Sequence, residues 1–335
     1  MPDVSLLSRR LLRELCTNSR VSVTSLSEKL AISRPIISKR IKALEKEFGL
    51  KYTLELNMTS LGVSNIHVLR VKFDKKPKEA DLGALFESSK RIQLALTTVG
   101  DFDLLLFVVA KSVEDYLGWE LKFDLALSKY GVSTSPSEVA ILHLGFVPVS
   151  DTLILASGLD ETYKKILLEL NSNSRIKISD LARRIDTSED AVHYYMEKIE
   201  KEGIVKRFTA VATKPLINEN IVYFADYTIH EDIERRVEAE RKRMYWKLQN
   251  EFPILSEFQM MFSTSGSDMS FTWATYPNFK EGLKQSVGLH AEIYKRDAAV
   301  MRYARICNLV KGTLPLRNID LKEAYDARLF TTEEL

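Results

Sequence analysis

The sequence predicts an α+β chain in which a three-helix head followed by a β-α-β-β-α-β module occurs twice in tandem. Three observations predict it. Asn18-Ser19-Arg20-Val21 recurs as Asn173-Ser174-Arg175-Ile176, an offset of 155 residues, and the register holds for about thirty residues. An apolar stripe at i, i+4, i+7 recurs with it, Ile37/Ile41/Leu44 and Val192/Met196/Ile199. Behind each head, short apolar runs and helical stretches follow in the same order.

The heads match at core, cap and turn positions together. Leu12 and Leu15 map to Leu167 and Leu170, Leu26 and Leu30 to Leu181 and Ile185, and Ser33 to Ser188. One residue, about Phe48, is extra before Gly49, which corresponds to Gly203. Helices are expected over about 5–17, 22–30 and 33–48, and again over 160–170, 179–185 and 188–202. The links Ala31-Ile32 and Asp186-Thr187 suit the sharp turn of a helix-turn-helix, and Gly49 and Gly203 suit C-caps. The extended runs 50–56 and 204–213 then stand where a wing strand or a domain-linking strand belongs. In the first module strands are expected at 66–73, 92–99, 104–110 and 138–146, with helices at 78–89 and 113–129. In the second, strands fall at 221–229, 255–263, 269–275 and 299–309, with helices at 231–250 and 278–288. That order is ferredoxin-like. The domains expected are a DNA-reading winged helix-turn-helix (1–60), a ferredoxin-like domain (61–148), a degenerate winged helix-turn-helix (158–214), a second ferredoxin-like domain (215–314) and a tail (315–335).

Composition is that of an ordinary globular protein, 45% hydrophobic and 28% charged over 335 residues, with a net charge of +2. No 18-residue apolar segment and no signal-peptide pattern occurs, so a cytoplasmic protein is expected. Cys16 and Cys307, far apart in sequence, read as reduced thiols. No GxGxxG, GxxxxGK[ST] or HExxH motif and no Cys/His cluster at metal spacing occurs, so no cofactor, metal or catalytic group is expected. The mixed-charge helix around Glu231–Lys247, with Arg235, Arg236, Arg241, Lys242 and Arg243, reads as a solvated face.

The stretch Ser33–Glu47 is the candidate reading helix. Ser33 is an N-cap residue and Pro35 sits in the first turn, where a missing N–H costs little. Arg34, Lys39, Arg40, Lys42 and Lys46 stand against Glu45 and Glu47, a net +3. A short basic helix docked by its other face suits a major groove. Arg34, Ser38, Lys39 and Lys42 are the base-edge candidates, with Arg40 and Lys46 on their flanks. Arg9, Arg10 and Lys51 are expected to position the phosphate backbone. In the second head Glu189, Asp190, His193, Tyr194 and Glu197 replace Arg34, Pro35, Ser38, Lys39 and Lys42. Over Ser188–Glu202 the net charge is −3, which opposes docking on phosphate. One head per chain is therefore expected to read DNA, and a palindrome would need two chains. The second face reads either as a solvated scaffold or, through Glu189, His193, Tyr194 and Tyr195, as a protein-contact patch.

A helix-turn-helix followed by β-α-β-β-α-β resembles the Lrp/AsnC family of transcription regulators. The residues carrying the resemblance are Leu159-Asp160, Ile166-Leu167, Leu170, Asn173-Ser174-Arg175, Leu181-Ala182, Ser188, Ile199-Glu200 and Gly203-Ile204. In the first head they are Leu15, Asn18-Ser19-Arg20, Leu26, Leu30, Ser33, Arg40-Ile41, Leu44-Glu45 and Gly49-Leu50. Leu61-Gly62 also falls where that family often has a Leu-Gly, and Gly100–Asp103 resembles its Gly-x-Tyr/Phe-Asp turn. The resemblance implies an archaeal or bacterial regulator, here an archaeal tandem duplication forming a pre-joined pseudo-dimer that pairs again as a homodimer on double-stranded DNA. It also implies an amino-acid-like effector at Gly100, Asp101 and Asp103, with Gly266 and Asp268 in the second module. A tight hairpin needing glycine for its geometry is the other reading of that turn.

Two joined AsnC-like halves also resemble the siroheme decarboxylases, an enzyme alternative in which Arg302, Tyr303, Arg305, His67, His143 and His230 would surround an acidic tetrapyrrole. The Trp-containing strand motif associated with those enzymes has no match here, and the histidines are scattered.

Overall fold

A computed structural model describes residues 6–87, 89–134, 138–144, 146–213, 219–227, 258–264, 268–276, 280 and 298–315. The expected helix 231–250, the expected helix 278–288 apart from residue 280, Gly266, His230 and all of the tail beyond Pro315 lie outside them.

Helix α1 (Leu6–Thr17) buries Leu11, Leu12, Leu15 and Cys16. Helix α2 (Val23–Leu30) starts where Ser22 Oγ accepts the Ser25 N–H at 3.0 Å. Helix α3 (Arg34–Phe48) buries Ile37, Ile41, Leu44 and Phe48, the expected stripe extended by one turn. Between α2 and α3, Ala31 takes a left-handed φ of +54°, and Ser27 Oγ donates to the Ile32 carbonyl at 2.6 Å. Strand β1 (Leu50–Leu56) follows the left-handed Gly49, and a 3-10 turn (Met58–Leu61) leads into the first module.

That module comprises β2 (Asn65–Phe73), α4 (Glu79–Glu87), β3 (Ile92–Gly100), β4 (Leu104–Ala110), α5 (Val113–Leu127), the short β5 (Val132–Thr134) and β6 (Glu138–Leu144). The connection between the first module and the second head holds helix α6 (Asp151–Ala156), because Leu153 and Ile154 find cover in the second head's core. The second head is α7 (Glu161–Ser172), α8 (Ile178–Arg184) and α9 (Glu189–Lys201). Its turn residue Asp186, 155 positions beyond Ala31, repeats the left-handed conformation at φ +57°. Strands β7 (Val205–Ala212), β8 (Glu219–Tyr227), β9 (Phe258–Thr264), β10 (Asp268–Tyr276), β11 (Ala298–Lys311) and β12 (Leu314–Pro315) complete the described chain.

The strands close on themselves. Within each module the order is 4-1-3-2, β6-β2-β4-β3 and β11-β8-β10-β9, as the ferredoxin-like reading requires. The modules then join edge to edge through antiparallel β3–β11 and β6–β9 pairs, making a ring of eight strands. Each edge strand of one module is covered by an edge of the other, which removes the exposed edges that a single module would present.

The strands after the two heads pair with each other rather than acting as a wing for each head. β1 and β7 run antiparallel with Thr53 opposite Thr209. At this junction Ser19 and Ser174, both fully buried, share a hydrogen bond of 2.6 Å. Ser19 N–H donates to Phe208 O at 2.9 Å, and Ser174 N–H donates to Tyr52 O at 3.0 Å. The Arg20 guanidinium lies 5.3 Å from the Phe208 ring centre, and Arg175 lies 4.8 Å from that of Tyr52. Asn18 and Asn173 each accept the backbone N–H two residues on, at 2.9 and 3.0 Å. The Asn-Ser-Arg triplet that marks the repeat is thus the contact between the heads, and it is built with two-fold pseudosymmetry.

Each head shares its core with the sheet. The first packs Leu11, Leu15 and Ile37 in one cluster with Val68, Leu94 and Phe107, and the second packs Leu167 and Val192 with Leu54, Leu61 and Val109. A third core lies between the sheet and helices α4 and α5.

Candidate nucleic-acid interface

With its apolar stripe on α1 and α2, α3 turns its other side outward. Arg34, Pro35, Lys39, Lys42 and Lys46 are exposed and Ser38 is half-buried. Among the described residues, none of these four cations has an ion-pair partner. Their charge is left for whatever approaches from solvent. Glu45, by contrast, is tied up by the Tyr52 hydroxyl at 2.7 Å; burial first and the carboxylate second push that phenol's pKa above its ordinary value. Ser33 occupies the N-cap position, but its hydroxyl makes no capping hydrogen bond.

The remaining expected DNA-binding residues divide. Arg40 is half-buried and its Nε donates to the buried Ser8 hydroxyl, so it braces α3 against α1. Arg10 is exposed on α1, and Arg9 lies beside it with its side chain outside the described set. Lys51 is exposed on β1 and lines a groove of about 400 Å³ with Asp151, Asn171 and Lys311. Ile36, not among the expected contact residues, is an exposed isoleucine on the first turn of α3. Its signal was available: it falls off the buried stripe.

The second head keeps the scaffold and reverses the face. Ser188 Oγ does cap its helix, accepting from Ala191 N–H at 3.2 Å. Glu189, Asp190, His193, Tyr194, Glu197 and Glu200 are exposed. Where the first head joins Arg40 to Ser8, the second stacks Tyr195 edge-on to Tyr163 at 5.8 Å. Tyr195 is therefore a packing residue, and Tyr194, 59% exposed, is the tyrosine that faces solvent.

The Gly100–Asp103 turn is held from within. Gly100 ends β3 at φ +142°, a conformation open to glycine. The buried Asp103 carboxylate meets Lys76 at 2.7 Å and Lys72 at 3.4 Å and accepts the Phe73 N–H at 3.1 Å. Burial raises its pKa, and these three partners together more than offset that, leaving it below its ordinary value. Asp101 is exposed. Asp268 begins β10, with its side chain outside the described set.

Of the groups in the enzyme alternative, His67 lies on β2, 3% exposed and stacked on Tyr116 with ring centres 3.7 Å apart. Burial lowers its pKa to about 4. Arg305 is half-buried on β11; the side chains of His143, Arg302 and Tyr303 are not among those described.

Residues 5–47 and 159–206 each match the winged helix-turn-helix DNA-binding family, so the match falls on both heads. The chain belongs to the helix-turn-helix transcriptional regulators. Among its relatives is the proline dehydrogenase transcriptional activator of Rhodobacter capsulatus, 30% identical over 112 residues, which span 32% of this chain and 72% of that protein. An uncharacterized HTH-type transcriptional regulator of Pyrococcus horikoshii is 36% identical over 63 residues, 19% of this chain and 41% of that one. Over nearly its whole length the fold is similar to the crystal structure of the siroheme decarboxylase NirDL. The TM-score is 0.56 at 13% identity, covering 96% of this chain and 98% of that one. Among the described residues no helix is long and apolar enough to cross a membrane, and no group of three or more His, Cys, Asp or Glu is placed to hold a metal.

Proposed function

We propose that this chain is a cytoplasmic, sequence-specific DNA-binding regulator of Lrp/AsnC type, a tandem duplication in which the first head alone reads the major groove. The observation that carries the reading is the contrast between equivalent positions. Arg34, Lys39 and Lys42 stand exposed on α3, without ion-pair partners among the described residues, while Glu189, Tyr194 and Glu197 stand at the matching positions of α9. Arg34, Ser38, Lys39 and Lys42 would meet base edges, Ile36 a thymine methyl, and Arg9, Arg10 and Lys51 phosphates. In this reading the division at 1–60, 61–148, 158–214 and 215–314 separates reader, module, silent head and second module, and the ring of strands does within one chain what a dimer of half-length chains would do. Two chains then supply two reading heads. An amino-acid-like effector would reach this turn at Asp101, which is exposed, since Asp103 is buried.

The test is a salt titration of binding to genomic DNA fragments with wild type, Arg34→Ala/Lys39→Ala and Glu189→Ala/Tyr194→Ala. Wild-type affinity should fall on the order of tenfold or more as salt rises severalfold, because several phosphates are neutralised. The first pair should abolish selective binding and the second should leave it intact; equal effects would sink the one-head reading. A second reading, a siroheme-decarboxylase-like enzyme, is favoured by the whole-chain fold likeness. It predicts no selective DNA binding and a tetrapyrrole retained with visible absorbance on purification.

A further inference from the structure

Helix α5 carries a face that the described fold does not use. Tyr116, Phe123 and Leu127 point into the core, but Val113, Leu117, Leu121 and Leu125 recur every four residues on the outer side. The three leucines are 54, 65 and 67% exposed, and no described residue covers them. Together they offer on the order of 400 Å² of contiguous apolar surface, a size that on a folded chain usually marks a contact site. The flanks of the ridge differ in sign: helical spacing sets Glu120 and Asp124 on one side and Lys122 on the other.

We propose that a second copy of this chain docks on this face about a two-fold axis running along α5, an inference that rests on the reading that two basic heads are needed on one duplex. Such an axis brings each leucine against its own counterpart and the acidic flank of one copy against Lys122 of the other. It also puts the heads where DNA needs them. The first turn of α5 lies at the head end of the sheet, since Asp115, bonded to Arg91, lines a small cavity with Leu61 and with Leu153 of α6. Parallel pairing therefore leaves both copies' heads at the same end, whereas antiparallel pairing would send them to opposite ends. With its flanks the contact would bury on the order of 1,000 Å² in total, the lower edge of specific interfaces, so the pairing should be reversible and concentration-dependent. Glu114, near the axis, meets its own copy and weakens the pair.

The experiment is analytical ultracentrifugation of the full chain without DNA, from roughly 1 to 100 µM. Wild type should move from one to two chain masses across that range, and Leu117→Glu/Leu121→Glu should stay monomeric, its affinity down by about tenfold or more. Lys122→Glu and Glu120→Lys should each weaken association alone and associate when mixed, because each then supplies the flank the other lacks; Glu114→Gln should tighten it. Near-UV circular dichroism checks that each variant is folded, and the mixing experiment stands even if the leucine variant is not. A monomeric wild type, a leucine variant that still pairs, or a mixture that does not associate overturns the proposal. A pair that forms but binds no DNA selectively keeps this surface and removes the DNA reading; a monomer that binds DNA selectively does the reverse.

Discussion

His67 makes a stability prediction that can be worked through from its surroundings. It is 3% exposed, lies flat on Tyr116 with 10° between the rings, and has no hydrogen-bond partner at either ring nitrogen among the described residues. Burial without a partner disfavours the imidazolium, so the folded-state pKa drops from 6.5 to about 4. Between those two values the unfolded chain binds a proton that the folded chain refuses. The stability from keeping His67 neutral is therefore whole above pH 6.5 and is lost as pH falls toward 4. Linkage puts the loss at about 2 kcal/mol by pH 5 and about 3 kcal/mol by pH 4. Urea unfolding of wild type and His67→Phe at about pH 7.5 and pH 5 measures it: the acid penalty should be about 2 kcal/mol smaller in the variant, which keeps the ring stack and cannot protonate. A His67 imidazole proton resonance that titrates near 6.5 in the folded protein would refute the reasoning outright.

Three further outcomes follow from the head junctions and turns. Ser19→Ala and Ser174→Ala should each cost about 1–3 kcal/mol by orphaning a buried hydroxyl, and the double variant should cost less than their sum, which a double-mutant cycle in urea reads directly. Gly49→Ala should destabilise more than Gly203→Ala. Both sit at left-handed φ, +59° and +67°, but a Cβ at Gly49 would lie 2.0 Å from Thr213 Oγ1 while one at Gly203 meets nothing within 4 Å. Ala31→Gly should raise the melting temperature slightly, by relief of up to about 1 kcal/mol of left-handed strain at φ +54°; a lower melting temperature would show that the turn is not strained.

The amino-acid order by itself determined much of the local structure. The stripe Ile37/Ile41/Leu44 is buried, Gly49 and Gly203 are left-handed, β1 and β4 have the expected bounds, and the strands of both modules lie in an order that suits the ferredoxin-like reading. These were legible because helix period, strand period and turn residues are set by neighbours in sequence. The opposite charge of α3 and α9 was legible for the same reason. What each residue faces was decided only by the tertiary structure. Asn-Ser-Arg reads as a marker of repetition, and only the pairing of β1 with β7 turns it into the contact between heads. Arg40 reads as another cation of the reading face until Ser8 of α1 takes its Nε, and Asp103 reads as a ligand group until Lys76 and Phe73 close on it. The leucines of α5 share an amphipathic helix with buried aromatics, and nothing in their spacing tells which side the sheet takes. A sequence carries propensity and period; burial and partnership depend on which segments, a hundred or more residues apart, come to lie against one another.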